Sequence, residues 1–162
     1  MKLALALVVS CGLLIGCLYI PQGKVTPKAS CQMRGHLPDP ICTPGATNPG
    51  VTVINLDETI CLKGWTKTVR PPVSYTQPLK VKQMQEYGFT DSISAHEEDH
   101  LIPLELGGAP SDPRNLWPEP GATPNAKDAV ENKLHHEVCA GKLSLSDAQK
   151  KIATDWQTAL NK

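Results

Sequence analysis

The sequence predicts a single small α+β domain, and three observations carry that expectation. Between Glu97 and Asp128 it reads as strand, turn, strand and helix. Asp99-His100 closes an extended run, Gly107-Gly108 with Pro110 and Pro113 turns the chain, Asn115-Leu116-Trp117 returns, and a helical pattern starts at Asn125. Further on, two apolar stripes at helical spacing appear: Ala126, Val130, Leu134 and Val138, then Leu145, Ala148, Ile152, Trp156 and Leu160. Third, 162 residues with 40% hydrophobic content suffice for one compact domain and not for two large ones.

Taken in order, the chain begins with a leader. Lys2 precedes an apolar run from Leu3 to Ile15, and Leu14-Ile15-Gly16-Cys17 fits a bacterial lipobox, in which the peptide is cut before a cysteine that becomes lipidated. Residues 1–17 are therefore expected to be a lipoprotein signal peptide, with Cys17 as the lipidation site. The alternative is an uncleaved anchor, since the run from Leu3 to Ile20, about 18 residues, is just long enough to span a membrane. Either way the domain is exported, and the lipoprotein reading sets it on a bacterial membrane, facing the periplasm or the exterior. A polar, aperiodic segment follows, so 18–36 is expected as a tether and 37–162 as the folded domain.

Cys31, Cys42, Cys61 and Cys139 remain, an even number suited to two disulfides in an oxidising compartment. Pairing Cys42 with Cys61 would close a modest loop around CTPGATNPG and VTVINL and leave Cys31 with Cys139. A zinc site is the rival account, and the lack of any CxxC pair counts against it. Val51, Val53 and Ile54 suit a strand, so the N-terminal part is expected to be β-rich and disulfide-stapled. Asp57 to Cys61 reads as a turn or brief helix. Thr76 then suits an N-cap, with Pro78 in the first turn, Leu79, Met84 and Tyr87 inward, and Gly88 as the stop. The last helix starts at Ser144 with Asp147 as its capping partner and packs on the core as a lid.

The formal net charge is zero, which removes the global basic field of a tight nonspecific nucleic-acid binder. Phosphate contacts, if any, must come from local groups: Lys63, Lys67 and Arg70 in one place, Arg114 and Lys127 in another. Solvation of a surface is the commoner fate of such charges, as it is for Lys80, Lys82, His135 and His136.

The stretch DHLIPLELGG from Asp99, NLWPEP from Asn115 and the KD..E pattern of Lys127, Asp128 and Glu131 resemble the HNH endonucleases. They resemble more closely a group of small exported bacterial HNH-like proteins, whose features extend from LPDPICTPG at Leu37 to AQKKIATDW ending at Trp156. The resemblance implies a ββα-metal core with additional helices and hydrolysis of nucleic-acid phosphodiesters, DNA ahead of RNA. It implies His100 as general base, Asn115 as the residue that bridges the loop between the strands, and Asp99 and Asn125 as metal ligands. Asn125 departs from the family pattern, which commonly has histidine at that position. Hard oxygen ligands of this kind suit Mg²⁺ or Mn²⁺. Arg114 and Lys127 are the nearest candidates to steady phosphate oxygens.

Two readings compete. His96-Glu97-Glu98-Asp99-His100 also satisfies H-E-x-x-H, the zinc-peptidase motif, which needs a helix to set both histidines on one metal. Pro103 and Gly107-Gly108 leave little room for that helix. A noncatalytic envelope module on a nuclease fold is the other.

Overall fold

The strands and helices follow the chain's punctuation. Our computed structural model describes residues 30–121 and 123–161. The signal peptide, Cys17 and the tether as far as residue 29 lie outside the described residues. In chain order the elements are α1 (Trp65–Val69), α2 (Val73–Glu86), β1 (His96–His100), β2 (Leu116–Pro120), α3 (Ala126–Cys139) and α4 (Leu145–Asp155), with short 3-10 turns at Leu56–Glu58, Ile93–Ala95 and Leu104–Leu106. The architecture is α+β, with β1 and β2 antiparallel, Glu97 opposite Glu119, Asp99 opposite Trp117 and His100 opposite Leu116. Among the described residues no helix is long and apolar enough to cross a membrane.

Between the strands, Leu104–Leu106 forms its 3-10 turn and Gly107, at φ +71°, ends it in the left-handed region. Gly108 is required for another reason: a Cβ there would lie 1.7 Å from the Ile102 carbonyl oxygen. The pair of glycines thus lets the loop close on itself, with the Asn115 side chain inside it. Asn115 is fully buried. Its Nδ2 donates to the carbonyls of Ile102 (2.9 Å) and Ala109 (3.1 Å), and its Oδ1 accepts from Ile102 N–H (3.0 Å).

α3 opens on a capping box: Asn125 Oδ1 accepts from the Lys127 N–H (2.8 Å), while Asp128 Oδ2 accepts from the Asn125 N–H (3.0 Å). Ser144 caps α4 through the Asp147 N–H. Leu134 and Val138 of α3 meet Leu145, Ala148 and Ile152 of α4 in the main core, which also holds Val51, Ile60, Ile102 and Leu106. The last helix is therefore part of the core's wall, as its stripe predicts. Ala126 and Leu160, assigned to the two stripes, are exposed, because α3 turns Lys127 inward instead and α4 ends at Asp155.

Several expectations for the N-terminal half are corrected. No strand forms at Val51–Ile54: Asn55 Oδ1 accepts from the N–H and hydroxyl of Thr52 and its Nδ2 donates to Gly50 O, closing a turn that leaves Val53 and Ile54 exposed. The region is loops and 3-10 turns rather than a β-rich part, with isolated bridges Arg34–Leu37 and Thr47–Gly108. The disulfides are Cys31–Cys42 and Cys61–Cys139, not Cys42–Cys61 with Cys31–Cys139. Asp39 is the reason for the first: its carboxylate accepts from the N–H groups of Gln32, Ile41 and Cys42, folding 31–42 into a closed loop. Cys31 is thereby buried against Tyr87 and Trp117, so the fold begins before residue 37 and takes in the end of the expected tether. α2 begins at Val73, behind Pro71-Pro72, and carries Pro78 within it; Met84 and Tyr87 point inward as expected.

Candidate active site

A cleft of about 110 Å³ opens where β1, the Leu104–Leu106 turn, α1 and α3 meet, lined by Thr66, Arg70, Glu97, Glu98, Asp99, His100, Pro103, Leu104, Glu105, Asp128 and Glu131. That volume holds a few waters or one hydrated ion, and a nucleobase would not fit. Six carboxyl side chains face it.

His100 ends β1. Its Nε2 lies 2.9 Å from the Pro110 carbonyl oxygen in the loop that Asn115 ties. A carbonyl only accepts, so Nε2 carries the proton and Nδ1 keeps the basic lone pair. Burial pushes the imidazole down to about 4, with Arg70 and Lys127 contributing, so the ring is neutral at pH 7.

Lys127 is 1% exposed, and its three N–H bonds are all used: Asp99 Oδ2 at 2.8 Å, His100 O at 2.8 Å and Glu131 Oε1 at 2.6 Å. Burial works against its charge, but Asp99 and Glu131 outweigh burial and hold the ammonium above its ordinary range. Burial likewise pushes the Asp99 carboxyl up, against the pull of Lys127. Lys127 is thus an internal strut between β1 and α3 and offers no N–H to a phosphate, contrary to the expectation from sequence.

Asn125 is also used differently. Its amide oxygen is committed to the helix cap and its Nδ2 donates to Glu97 Oε2 (3.1 Å) and Glu119 Oε2 (3.3 Å), so it joins the two strands to α3. That leaves it poorly disposed to serve as an oxygen ligand. Arg114 is exposed, paired with Asp112 on the loop (2.6 Å), and outside the cleft. The basic residue the cleft does contain is Arg70, from the group at Lys63, Lys67 and Arg70.

The H-E-x-x-H reading fails on geometry, because His96 and His100 lie on a strand. His96 is buried, with Nδ1 on the Pro118 carbonyl and Nε2 on Asp91, and packs against Phe89.

Glu98 and Glu105 are not announced by the sequence as site residues, Glu131 enters only within the KD..E pattern, and Arg70 only as one of three local candidates for phosphate contact. Glu131 is one turn from Lys127, the spacing of a helical ion pair, and could have been paired with it. Glu98 gave no signal, since neighbouring strand residues alternate faces and nothing announces that Glu97 to His100 all line one cleft. Both carboxylate oxygens of Glu98, and Oε1 of Glu105, are buried without a hydrogen-bond partner. Burial pushes Glu98 and Glu119 up to about 8 and Glu131 to about 7, the last against the pull of Lys127, and it raises Glu105 as well.

These shifts set a pH dependence. Raised carboxyls give stability that is full below their ordinary value of 4.5 and lost as pH rises through 7 to 8. His100, depressed from 6.5 to about 4, acts in the opposite sense and loses its contribution as pH falls through that window. With three carboxyls against one imidazole, the melting temperature in EDTA rises as pH is lowered from about 8.5 to about 6.5. A divalent cation raises it most at the alkaline end, where the carboxylates are charged. A scanning calorimetry series that is flat, or falls, over that range contradicts the charge assignment.

No family model, no curated protein and no solved structure matches this chain. Among the described residues, the group of three ligand atoms that converges to within 4.8 Å lies elsewhere, at Cys61, His135 and Cys139.

Proposed function

We propose that this domain is a metal-dependent endonuclease of the ββα-metal kind, hydrolysing nucleic-acid phosphodiester bonds, with DNA as the first substrate to test. The observation that carries the reading is His100: a neutral imidazole, fixed through Nε2 to Pro110 O, that lines the same cleft as the buried, partnerless carboxyls of Glu98 and Glu105. A phosphodiester is anionic and resists attack, so its hydrolysis calls for a base to take a proton from water and a cation near the phosphate.

His100 takes the proton at Nδ1. Asn115 holds the loop that carries Pro110 and so sets the ring's orientation. Arg70, at the cleft, steadies a phosphate oxygen. Glu98 and Glu105, whose oxygens lack partners, and Asp99 line the cleft and are hard donors of the kind Mg²⁺ or Mn²⁺ takes; among the described residues their oxygens do not all lie within 4.8 Å of one another, so a cation held there would have to draw them together. When bound, the cation supplies neutralisation of charge on the scissile phosphate and the departing oxygen.

The test is incubation of the purified chain with plasmid, RNA and casein, with Mg²⁺, with Mn²⁺ or with EDTA. Cleavage of DNA that needs the cation is expected. Asp99→Ala lowers activity and metal affinity together. Glu97→Gln costs much less, because a glutamine carbonyl still accepts from Asn125 Nδ2. Failure to cut DNA or RNA under any condition leaves a noncatalytic module as the reading, and cleavage of casein in place of nucleic acid overturns the nuclease assignment.

The proposal includes export and lipid anchoring at Cys17, on the lipobox and the two disulfides. Mass spectrometry of the membrane fraction should find diacylglycerol on Cys17; an intact Met1 refutes it.

A further inference from the structure

We infer that Cys61, His135 and Cys139 form a reducible zinc site, closed as a disulfide when oxidised and able to take one thiophilic divalent cation when reduced. Their ligand atoms all lie within 4.8 Å of one another. The placement has a local cause. His135 and Cys139 are four residues apart on α3, one turn, so they share a face, and Cys61 comes to that face from the turn after Leu56–Glu58.

Two further observations favour a metal. His135 Nε2 lies 2.8 Å from the Ile60 carbonyl oxygen, so that nitrogen carries the proton and Nδ1 is left with its lone pair. A ligating imidazole is typically oriented in this way, its other N–H given to a carbonyl. The site is also open. Cys139 is exposed, and Cys61 and His135 line a surface cavity of about 350 Å³. The other bridge is protected, with Cys31 3% exposed under Tyr87 and Trp117. A reductant therefore reaches Cys61–Cys139 first.

The chemistry balances with a thiol reductant. A dithiol breaks the Cys61–Cys139 S–S bond and becomes a cyclic disulfide, while the two Sγ atoms each gain a proton. Zinc then binds two thiolates and the imidazole, with water as a fourth ligand, and releases both thiol protons to solvent. Because Cys139 is the last residue of α3, reduction alone frees that end of the helix, and zinc ties it down again. The inference stands apart from the nuclease proposal, because its readouts are metal content and thiolate chemistry.

The experiment uses the whole chain, either oxidised or reduced with a small dithiol that is then removed without air. Zn²⁺ is titrated against a chromophoric chelator, and Co²⁺ is added to look for thiolate-to-cobalt charge-transfer absorption. The reduced chain should bind one zinc and show the absorption, and the oxidised chain should show no such absorption. His135→Ala should weaken zinc binding beyond the roughly 10- to 100-fold that losing a ligand's orienting partner costs. In the reduced chain, zinc should slow alkylation of Cys61 and Cys139 and leave the labelling of Cys31 and Cys42 the same with and without the metal. The site is overturned by absence of the absorption after reduction, by unchanged affinity in His135→Ala, or by alkylation of Cys61 and Cys139 that zinc does not slow.

Discussion

Replacing His100 with alanine should lower the rate of metal-dependent DNA cleavage by about 10²- to 10⁴-fold, the usual contribution of a positioned general base, while leaving metal affinity nearly unchanged. The imidazole is removed from Pro110 and from the cleft, but the carboxylates at Glu98, Asp99 and Glu105 stay. Its depressed value of about 4 also shapes the pH profile: a base that is already neutral loses nothing between pH 8 and 6. Single-turnover rates at saturating Mn²⁺, with calorimetric metal titration, measure both quantities. A variant that keeps more than a tenth of the wild-type rate, or one that loses its metal along with its activity, removes His100 from the role of base.

The second large effect is on stability. Lys127→Met deletes a buried ammonium from between two carboxylates, leaving Asp99 and Glu131 without their cation; breaking a buried pair in this way costs about 3 to 5 kcal/mol. That is a large share of the roughly 5 to 15 kcal/mol that a domain has in total. Acid should reduce the loss, since a protonated Asp99 or Glu131 no longer needs the partner. Urea denaturation at pH 8 and pH 5.5 tests both points. A near-neutral result at pH 8 would mean that Lys127 is not the strut and would return it to the group of phosphate contacts.

Much of the second half of the chain was legible because its signals are local. Gly107-Gly108, the cap of Ser144 with Asp147, and the stripe of Leu145, Ala148 and Ile152 each follow from backbone geometry or period, and each appears in the structure. The N-terminal half was less so. Val51, Val53 and Ile54 have strand-forming side chains, but a single asparagine, Asn55, offers that backbone a closer set of hydrogen bonds. Disulfide pairing depended on Asp39, whose carboxylate gathers three N–H groups, and no cysteine spacing reports such a clamp. Of the motif residues, Asp99 and His100 line the cleft and Asn115 ties the loop behind it, whereas the side chains of Lys127 and Asn125 are engaged by neighbouring protein groups. Both are polar residues at a helix start, and only the packed structure decides whether such a group faces solvent, a ligand or its own neighbours.

The Cys61–Cys139 bond, with 78 residues of sequence separation, closes a covalent ring, and every residue lining the cleft, from Thr66 to Glu131, belongs to it. A protease that cuts the exposed connection near Gly121 would open the ring without releasing either side, because the two fragments remain joined through sulfur. The nicked chain would keep its mass on a nonreducing gel, gaining one water, and separate only after reduction. Its halves would meet at the high effective concentration of a tether rather than by diffusion, so the cleft could persist through a scission that would dismantle an unbridged domain.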